Sequence, residues 1–233
     1  MLRLIVIAAL IGAVMYFVSA WRLKGELDRK SVPLKDPVLD PVLRRLARSL
    51  DVDALRVHLY EIEPINGLAA PDGRVFVTRG LFDKYRRGEV TAEEIASVIA
   101  HELGHVALGH SRRRMFDFTG ANALRMGLAM VLGRFIPFVG AYIAGFVAQI
   151  LQAALSRKDE YEADEYAAAL MVKAGFGVTP QIAMFEKLDA MSGAAGRPPA
   201  WLMSHPATGK RIAAIRALEA RWLGTERRQE GGE

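Results

Sequence analysis

The hydrophobic and polar positions divide the chain into one β-rich stretch and several helical stretches. Residues 56–62 and 74–78 are rich in β-branched and aromatic side chains, which predicts two strands. The loop 64–73 between them contains two turn signals, so we expect the strands to form a β-hairpin-like unit. Leucines recur every three or four residues along 43–50, which predicts a helix that begins near residue 40.

Further helices are predicted after the strands because the sequence contains recognisable helix starts. Together with the two strands they predict an α+β fold in which helices dominate. The first of these helices begins at a capping box of Thr91 and Glu94 and runs to about His110, and the second begins at a box of Ser156 and Asp159 and closes near Gly175. The third begins at Thr179-Pro180, and the fourth follows His205-Pro206 and runs through about Leu223.

Residues 4–21 form an uncharged run that predicts a hydrophobic N-terminal helix about 27 Å long, just enough to cross a bilayer. Two interpretations compete: a membrane anchor, or a signal peptide cut after Ala20. Arg3 before the run favours export, whereas the basic residues after it favour a cytoplasmic location. We expect an anchored or exported protein whose main domain lies outside the cytoplasm, with the cytoplasm-facing arrangement as the alternative.

A second apolar stretch covers residues 127–155 and carries a single charge, Arg134. Pro137 and Gly140 split this stretch into two arms, each shorter than the roughly 20 residues that a membrane span requires. We therefore expect a hydrophobic helical hairpin that lies on the domain and is able to touch lipid. A true membrane span is the alternative.

Length and composition describe one globular domain with short appendages. The chain is 52% hydrophobic and 8% aromatic, which excludes wholesale disorder. The net charge of +5 comes without a nucleic-acid-binding motif, so no nucleic-acid partner is expected. The predicted organisation is a transmembrane anchor or signal peptide over 1–21, a linker over 22–39, the main domain over 40–224 and a flexible tail over 225–233.

His101, Glu102 and His105 form an HExxH motif inside the helix that Thr91 opens. Residues four apart lie about 40° apart around a helix, so both imidazoles reach one point. Two such imidazoles suit Zn²⁺, one ion per chain. Glu102 is offset by about 100°, which lets its carboxylate reach a water on the metal without ligating it.

A third ligand is required, and the absence of cysteine leaves histidine, aspartate or glutamate. The best candidate is Glu160, which lies four residues before Asp164 on a second predicted helix. Glu160 would ligate the metal, and Asp164 would accept the Nδ1–H of a ligand histidine and fix its tautomer. Glu162 is rotated away from this face and is expected to be solvated.

Three motifs in this order resemble one protein family. The segments AHELGHVALGH, SRKDEYEAD and SHPATGKR are similar to those of the HtpX-like and CAAX prenyl endopeptidase-like zinc metallopeptidases, and the resemblance covers about residues 40–220. It implies a zincin-like α+β domain, membrane-bound or periplasmic quality-control proteolysis, zinc on His101, His105 and Glu160, and Glu102 as the general base.

The resemblance also implies two further site residues. His205, followed by Arg211, matches a family segment that places a histidine near the zinc. There it would act in catalysis or occupy the fourth coordination position of the metal in a resting state. The family's Asn-Ala-Phe-Ala segment corresponds here to Asn66-Gly67-Leu68-Ala69, a departure that leaves a substrate-facing role for Asn66 open. The remaining histidines, His58 and His110, are expected to be structural.

The predicted function is zinc-dependent hydrolysis of peptide bonds in misfolded or membrane-associated proteins. Membrane association is expected through residues 1–21 and, in addition, through 127–155. The alternative is a non-catalytic chaperone or assembly factor that retains the fold. An extended substrate is expected to add as a strand to the predicted strand at residues 74–78, namely Arg74, Val75, Phe76, Val77 and Thr78.

Overall fold

The computed structural model divides the chain into two compact units, and each is described by itself. One unit comprises residues 1–29 with 109–159, and the other comprises residues 30–108 with 160–233. The residues whose structure is described are 18, 21–70, 72–110, 113, 125, 129, 134, 140–195, 199–205 and 208–230.

A four-stranded sheet lies in the second unit, in the order β1-β2-β4-β3. Strands β2 and β4 pair in parallel, and the other two pairs are antiparallel. The strands are β1 (Ser31–Pro33), β2 (Val57–Tyr60), β3 (Gly67–Ala69) and β4 (Val75–Thr78).

The two strands predicted from the sequence exist, but the prediction that they form a hairpin is wrong. Strands β2 and β4 run parallel, which a tight turn cannot produce. The intervening loop is long enough to reverse the chain and to contribute β3, which pairs antiparallel with β4. The sequence gives β3 almost no signal because it is three residues long and begins with glycine.

Helices supply most of the remaining described structure, so the predicted helix-dominated α+β class is confirmed. Their positions agree with the starts predicted near residue 40, at Thr91 and at Thr179. The helices are α1 (Leu39–Ser49), α2 (Arg79–Arg86), α3 (Ala92–Ala107), α4 (Gly140–Lys173), α5 (Thr179–Ala195), α6 (Ala200–Ser204) and α7 (Thr208–Glu230).

Helix α3 occupies the centre of the second unit. Its capping box is present as predicted, because the Thr91 hydroxyl accepts from the Glu94 amide and the Glu94 carboxylate accepts from the Thr91 amide. The buried aliphatic side chains of α3 include Ile95, Val98 and Ile99, and they belong to the main hydrophobic core. A rigid, buried helix therefore carries the HExxH motif.

Helix α4 corrects the predicted helix start at Ser156. One uninterrupted helix runs from Gly140 to Lys173, so Ser156 lies inside it. No proline occurs between these ends, and a serine in a helix interior costs too little to stop a helix. The helix closes at Gly175, whose φ of 75° suits glycine, as the sequence predicts.

Two predicted appendages contain regular structure. Residues 21–30 are helical and are followed directly by β1, within the stretch predicted to be a linker. Helix α7 continues to Glu230, into the stretch predicted to be a flexible tail. The predicted N-terminal anchor and the first arm of the predicted 127–155 hairpin lie almost entirely outside the described residues. Among the helices of the described residues, none combines the length and apolar character that a membrane span requires.

Candidate metal centre

Helix α3 presents two imidazoles to one point. His101 and His105 are one helical turn apart, and their Nε2 atoms are 3.1 Å from each other. Both rings are buried, with 1% and 7% of their surface exposed. The geometry follows from the four-residue spacing that the sequence shows.

Helix α4 brings a carboxylate to the same point because it packs closely against α3. A Cβ at Gly104, within the HExxH motif, would lie 3.1 Å from the backbone of Ala163. A glycine facing an alanine thus permits close approach of the two helices. Glu160, one turn before Ala163, places its carboxylate oxygens 3.5 Å from His101 Nε2 and 3.6 Å from His105 Nε2.

His205 completes the group from the end of α6. Its Nδ1 atom lies 2.6 Å from Glu160 Oε2 and 3.3 Å from His101 Nε2. The Trp201 ring stacks on His205 with 4.9 Å between ring centroids, and the His205 amide donates to the Trp201 carbonyl. His101, His105, Glu160 and His205 each offer a ligand atom, and these atoms lie within 4.8 Å of one another.

Asp164 and Arg211 lie behind the histidines. Asp164 Oδ1 is 3.0 Å from His101 Nδ1, the nitrogen that faces away from the other ligand atoms. Arg211 pairs with Asp164 through two contacts, Nε to Oδ2 at 2.6 Å and one terminal nitrogen to Oδ1 at 2.7 Å. Both side chains are buried. This arrangement fixes which His101 nitrogen points into the group.

The ionisation of the group is governed by its buried charges. Burial favours the neutral form of His101, but the Asp164 and Glu160 carboxylates outweigh burial and raise the pKa of His101 to about 9. Burial likewise opposes ionisation of Glu160, yet hydrogen bonds from His101 and His205 hold the pKa of Glu160 well below its usual range. Both shifts have one cause: ionised carboxylates face the histidines in a buried site, and such negative charge also favours a divalent cation.

Charge balance gives an independent reason for a cation. Glu102, Glu160 and Asp164 are buried carboxylates, whereas Arg211 is the buried guanidinium that faces them. Uncompensated buried charge is costly, so a bound cation would stabilise this arrangement. The donor set of imidazoles and carboxylate, with no cysteine in the chain, fits a divalent transition metal.

The Glu102 carboxylate borders the group without joining it. Its Oε1 atom is buried, has no hydrogen-bond partner among the described residues, and lies 3.5 Å from His205 Nε2. Such an oxygen is placed to accept a proton from a molecule that enters the site.

The family model of peptidase family M48 matches residues 33–219. The chain belongs to peptidase family M48. It is similar to the metalloprotease LoiP of Escherichia coli, with 28% identity over 76% of this chain and 68% of LoiP. The metalloprotease YcaL of the same organism is 29% identical over 76% of this chain and 67% of YcaL. The chain is also 31% identical to the beta-barrel assembly-enhancing protease of Escherichia coli, over 81% of this chain and 40% of that protein.

Membership of this family confirms the prediction that the chain is a metalloendopeptidase, which hydrolyses peptide bonds in proteins. The metal is therefore expected of the family as well as of the donor geometry. The narrower resemblance to the HtpX-like and CAAX prenyl endopeptidase-like proteins stays a prediction. The structure brings together all three predicted ligands, together with Glu102, Asp164 and His205.

The predicted use of β4 as the substrate-binding strand is wrong for this M48 domain. Strand β4 pairs with β2 on one side and β3 on the other, so it has no free edge to which a substrate strand can add. Val75, Phe76, Val77 and Thr78 are buried, and the side chain of Arg74 pairs with Asp72. The sequence offered no signal for β3, so β4 was the strand expected at the edge.

The strand order instead leaves β3 at the edge of the sheet, next to α3. A Cβ at Gly67 would lie 2.6 Å from Val98 Cγ1 and 3.9 Å from Glu102 Oε1. The backbone amide of Asn66, just before β3, donates to the Thr78 hydroxyl, and that hydroxyl donates to the Asn66 carbonyl. The Asn66 Oδ1 atom is buried and has no hydrogen-bond partner in the part of the chain that is described.

The other candidate residues lie elsewhere. The His58 ring packs against Phe76 in the sheet, tilted by 34° with 5.3 Å between ring centroids. His110 is buried in the first unit, 3.9 Å from Asp159, which Arg113 also contacts. Glu162 is half-buried and does not belong to the four-residue donor group.

The sequence does not assign a role to two residues of the site. Arg211 belongs to the SHPATGKR motif, and only its burial beside Asp164 shows that it is central to the site. Trp201 stacks on His205 and carried no sequence signal that distinguishes it from a core tryptophan. A buried arginine can be recognised only once the carboxylates that face it are known.

Proposed function

We propose that the metal is zinc, bound by His101, His105 and Glu160, and that the enzyme cleaves extended segments of misfolded or membrane-associated proteins. The observation that carries this proposal is the buried convergence of these three donors. Two ligands of one tetrahedral zinc ion are about 3.3 Å apart, because each is about 2.0–2.1 Å from the metal. The separations of 3.1, 3.5 and 3.6 Å among these side chains fit that geometry.

Zinc held by these residues would supply an acidified water and a Lewis acid for the peptide carbonyl. Glu102 is the proposed general base: its Oε1, which has no hydrogen-bond partner among the described residues, would accept the proton of the attacking water and deliver it to the leaving amine. Asp164 accepts from His101 Nδ1, which would leave Nε2 of that ring as the nitrogen that binds the metal.

Among the described residues β3 pairs on one side only, with β4, and its outer edge is proposed to bind substrate main chain. An edge strand presents unpaired N–H and C=O groups that recognise any extended polypeptide, with weak dependence on side chains. The closeness of Gly67 to Glu102 would put the scissile bond of a strand added to β3 near the general base. Such recognition suits unfolded proteins, and the name of one relative, the beta-barrel assembly-enhancing protease, is compatible with a role in protein quality control.

His205 is proposed to occupy the fourth metal position in a resting state. Its Nδ1 atom lies among the other donors, whereas its Nε2 atom faces Glu102. In this position the ring would exclude the attacking water. An alternative role, donation of a hydrogen bond to the developing oxyanion, requires the ring to move away from Glu160.

Membrane contact is proposed for the first half of α4, in addition to residues 1–21. Tyr142, Phe146 and Ile150 follow one face of the helix and are 81%, 63% and 52% exposed. Arg157 and Lys158 mark the end of this apolar stretch, where they would meet anionic headgroups. Replacing the three apolar residues by serine should weaken co-sedimentation with anionic vesicles, which an unchanged sedimentation would contradict.

The catalytic proposal is tested with purified full-length chain, a quenched-fluorescence casein substrate and measured zinc content. Cleavage should disappear with a chelator and return with added zinc. Glu102→Gln should retain zinc but lose about 10²- to 10⁴-fold in rate. Glu93→Gln, on the same helix, serves as the matched control and should remain active. A zinc-loaded chain that binds casein without cleaving it would favour the non-catalytic chaperone.

A further inference from the structure

We propose that Arg211 is a positioning residue that couples the metal ligands to His205, an inference that rests on the proposed metal site. Arg211 comes from α7, which contributes no member of the donor group. Only 1% of its surface is exposed, so its guanidinium lies in the protein interior. Its neighbours belong to the segments that supply the other site residues, α4 and the end of α6.

The first contact fixes the carboxylate behind His101. Nε and one terminal nitrogen of Arg211 bind the two oxygens of Asp164, at 2.6 and 2.7 Å. This two-pronged pairing holds the carboxylate plane in one orientation. Asp164 Oδ1 then lies 3.0 Å from His101 Nδ1, so the orientation of Arg211 determines that of His101.

The second contact fixes the main chain that carries His205. The other terminal nitrogen of Arg211 donates to the His205 carbonyl at 3.1 Å and lies 3.4 Å from Glu160 Oε2. The His205 ring therefore enters the donor group from a backbone position that the arginine holds. One side chain thus touches Asp164, Glu160 and the His205 main chain.

The shape of the guanidinium is essential to this arrangement. Lysine carries a comparable charge but cannot bind two carboxylate oxygens with a planar fork while it donates to a carbonyl on the opposite side. The Arg211 guanidinium also lies over the Phe185 and Trp201 rings, at 4.7 and 5.0 Å from their centroids, which favours a planar cation. Arg216 on the same helix provides a matched control, because its pairing with Glu186 is exposed.

The test compares Arg211→Lys with Arg216→Lys in the full-length chain. Zinc affinity is measured by competition with a chromophoric chelator, and the ligand geometry by the absorption spectrum of bound cobalt(II). Arg211→Lys should weaken zinc binding about 10- to 100-fold and alter the cobalt spectrum, since it disturbs the partner of a ligand. Arg216→Lys should change neither. A normal zinc affinity and cobalt spectrum in Arg211→Lys would overturn the proposal, whatever its melting temperature.

Two further variants separate positioning from general destabilisation. Asp164→Asn removes the same carboxylate contact, so the double variant with Arg211→Lys should bind zinc within about threefold of the weaker single variant. If the two losses of zinc affinity multiply in the double variant, the two residues act independently, which would contradict the proposal. If Arg211→Lys does not fold, Asp164→Asn tests whether the carboxylate that Arg211 holds supports the metal, and an unchanged zinc affinity overturns the proposal.

The link to His205 is tested by kcat at saturating zinc. Arg211→Lys should change kcat at least about threefold in the wild-type background and less than about twofold in a His205→Ala background, because the coupling acts through that ring. Equal changes in both backgrounds would overturn the link. A wild-type chain that binds zinc without cleaving peptides would disprove the proposed function, while the zinc and cobalt measurements would still decide the role of Arg211.

Discussion

Two sets of buried carboxylates in the second unit have opposite surroundings: Asp36 by itself, and the carboxylates of the candidate metal centre. Asp36, before α1, accepts from the amides of Val38 and Leu39 at 3.0 Å and from the Tyr85 hydroxyl at 2.7 Å. Arg86 adds an ion pair at 3.4 Å. Burial raises the pKa of Asp36, but the Tyr85 hydroxyl and the backbone amides outweigh it, so the pKa is lowered overall. Every contact joins Asp36 to a neighbouring element of the fold.

The carboxylates around the metal centre instead face one another and a shared point. Glu160 and Asp164 contact histidines whose nitrogens converge, and Glu102 keeps one buried oxygen without a hydrogen-bond partner among the described residues. A carboxylate whose oxygens are saturated by backbone amides stabilises a fold. Carboxylates that converge with histidines on one point remain able to bind something else. The contrast predicts a series of effects on activity that decreases from the metal centre to Asp36.

The largest effect is expected from Glu160→Gln, because it replaces a charged ligand by a neutral amide. Zinc affinity should fall by more than the roughly 10- to 100-fold that loss of an outer partner causes, and peptide cleavage should disappear with it. Glu162→Gln, two residues along the same helix, is the control and should retain both. Metal analysis checks the pair, and a zinc-free Glu162→Gln beside a zinc-loaded Glu160→Gln would reverse the ligand assignment.

The positions of these ligands were predictable because their chemistry is periodic along helices. His101 and His105 are four apart, as are Glu160 and Asp164, and helical geometry alone directs each pair to one side. The substrate edge was not predictable. It depends on β3, a three-residue strand whose position follows from long-range pairing with β4 rather than from local preference. The same holds for Arg211, whose partners lie on other elements of the fold.

A smaller effect is expected from His205→Ala, which tests whether this member of the converging group blocks the metal or assists catalysis. If the ring blocks the fourth metal position in about nine molecules of ten, its removal should raise peptide cleavage about tenfold. Steady-state kinetics with a short fluorogenic peptide measure this, with zinc content as the control. A decrease of about 10²- to 10³-fold would instead assign His205 to oxyanion stabilisation.

Gly67→Ala should reduce activity only several-fold, because it alters the supposed substrate edge and not the ligands. The added methyl would meet Val98 Cγ1 at 2.6 Å, so β3 or the Val98 side chain must shift. Overpacking of this kind costs about 1–3 kcal/mol of stability. KM should rise while zinc affinity stays unchanged. Val98→Ala makes room for the methyl and should restore KM in the double variant, and a KM that stays high would argue against this contact.

Asp36→Asn should leave activity and zinc affinity unchanged and lower only stability, which completes the comparison. At pH 7 the loss should be about 1 kcal/mol, the difference between hydrogen bonds to a charged and to a neutral acceptor. Because the pKa of Asp36 is lower in the folded than in the unfolded chain, the charge contributes fully above about pH 4 and its contribution is lost as the pH falls through the folded pKa. Urea unfolding of wild type and variant should therefore differ at pH 7, and the difference should be smaller at pH 3. The exposed Asp53→Asn serves as the control and should match wild type at both values. A zinc affinity lowered by Asp36→Asn would show that the two acidic groups are coupled, and that saturation by backbone amides does not separate a structural carboxylate from a functional one.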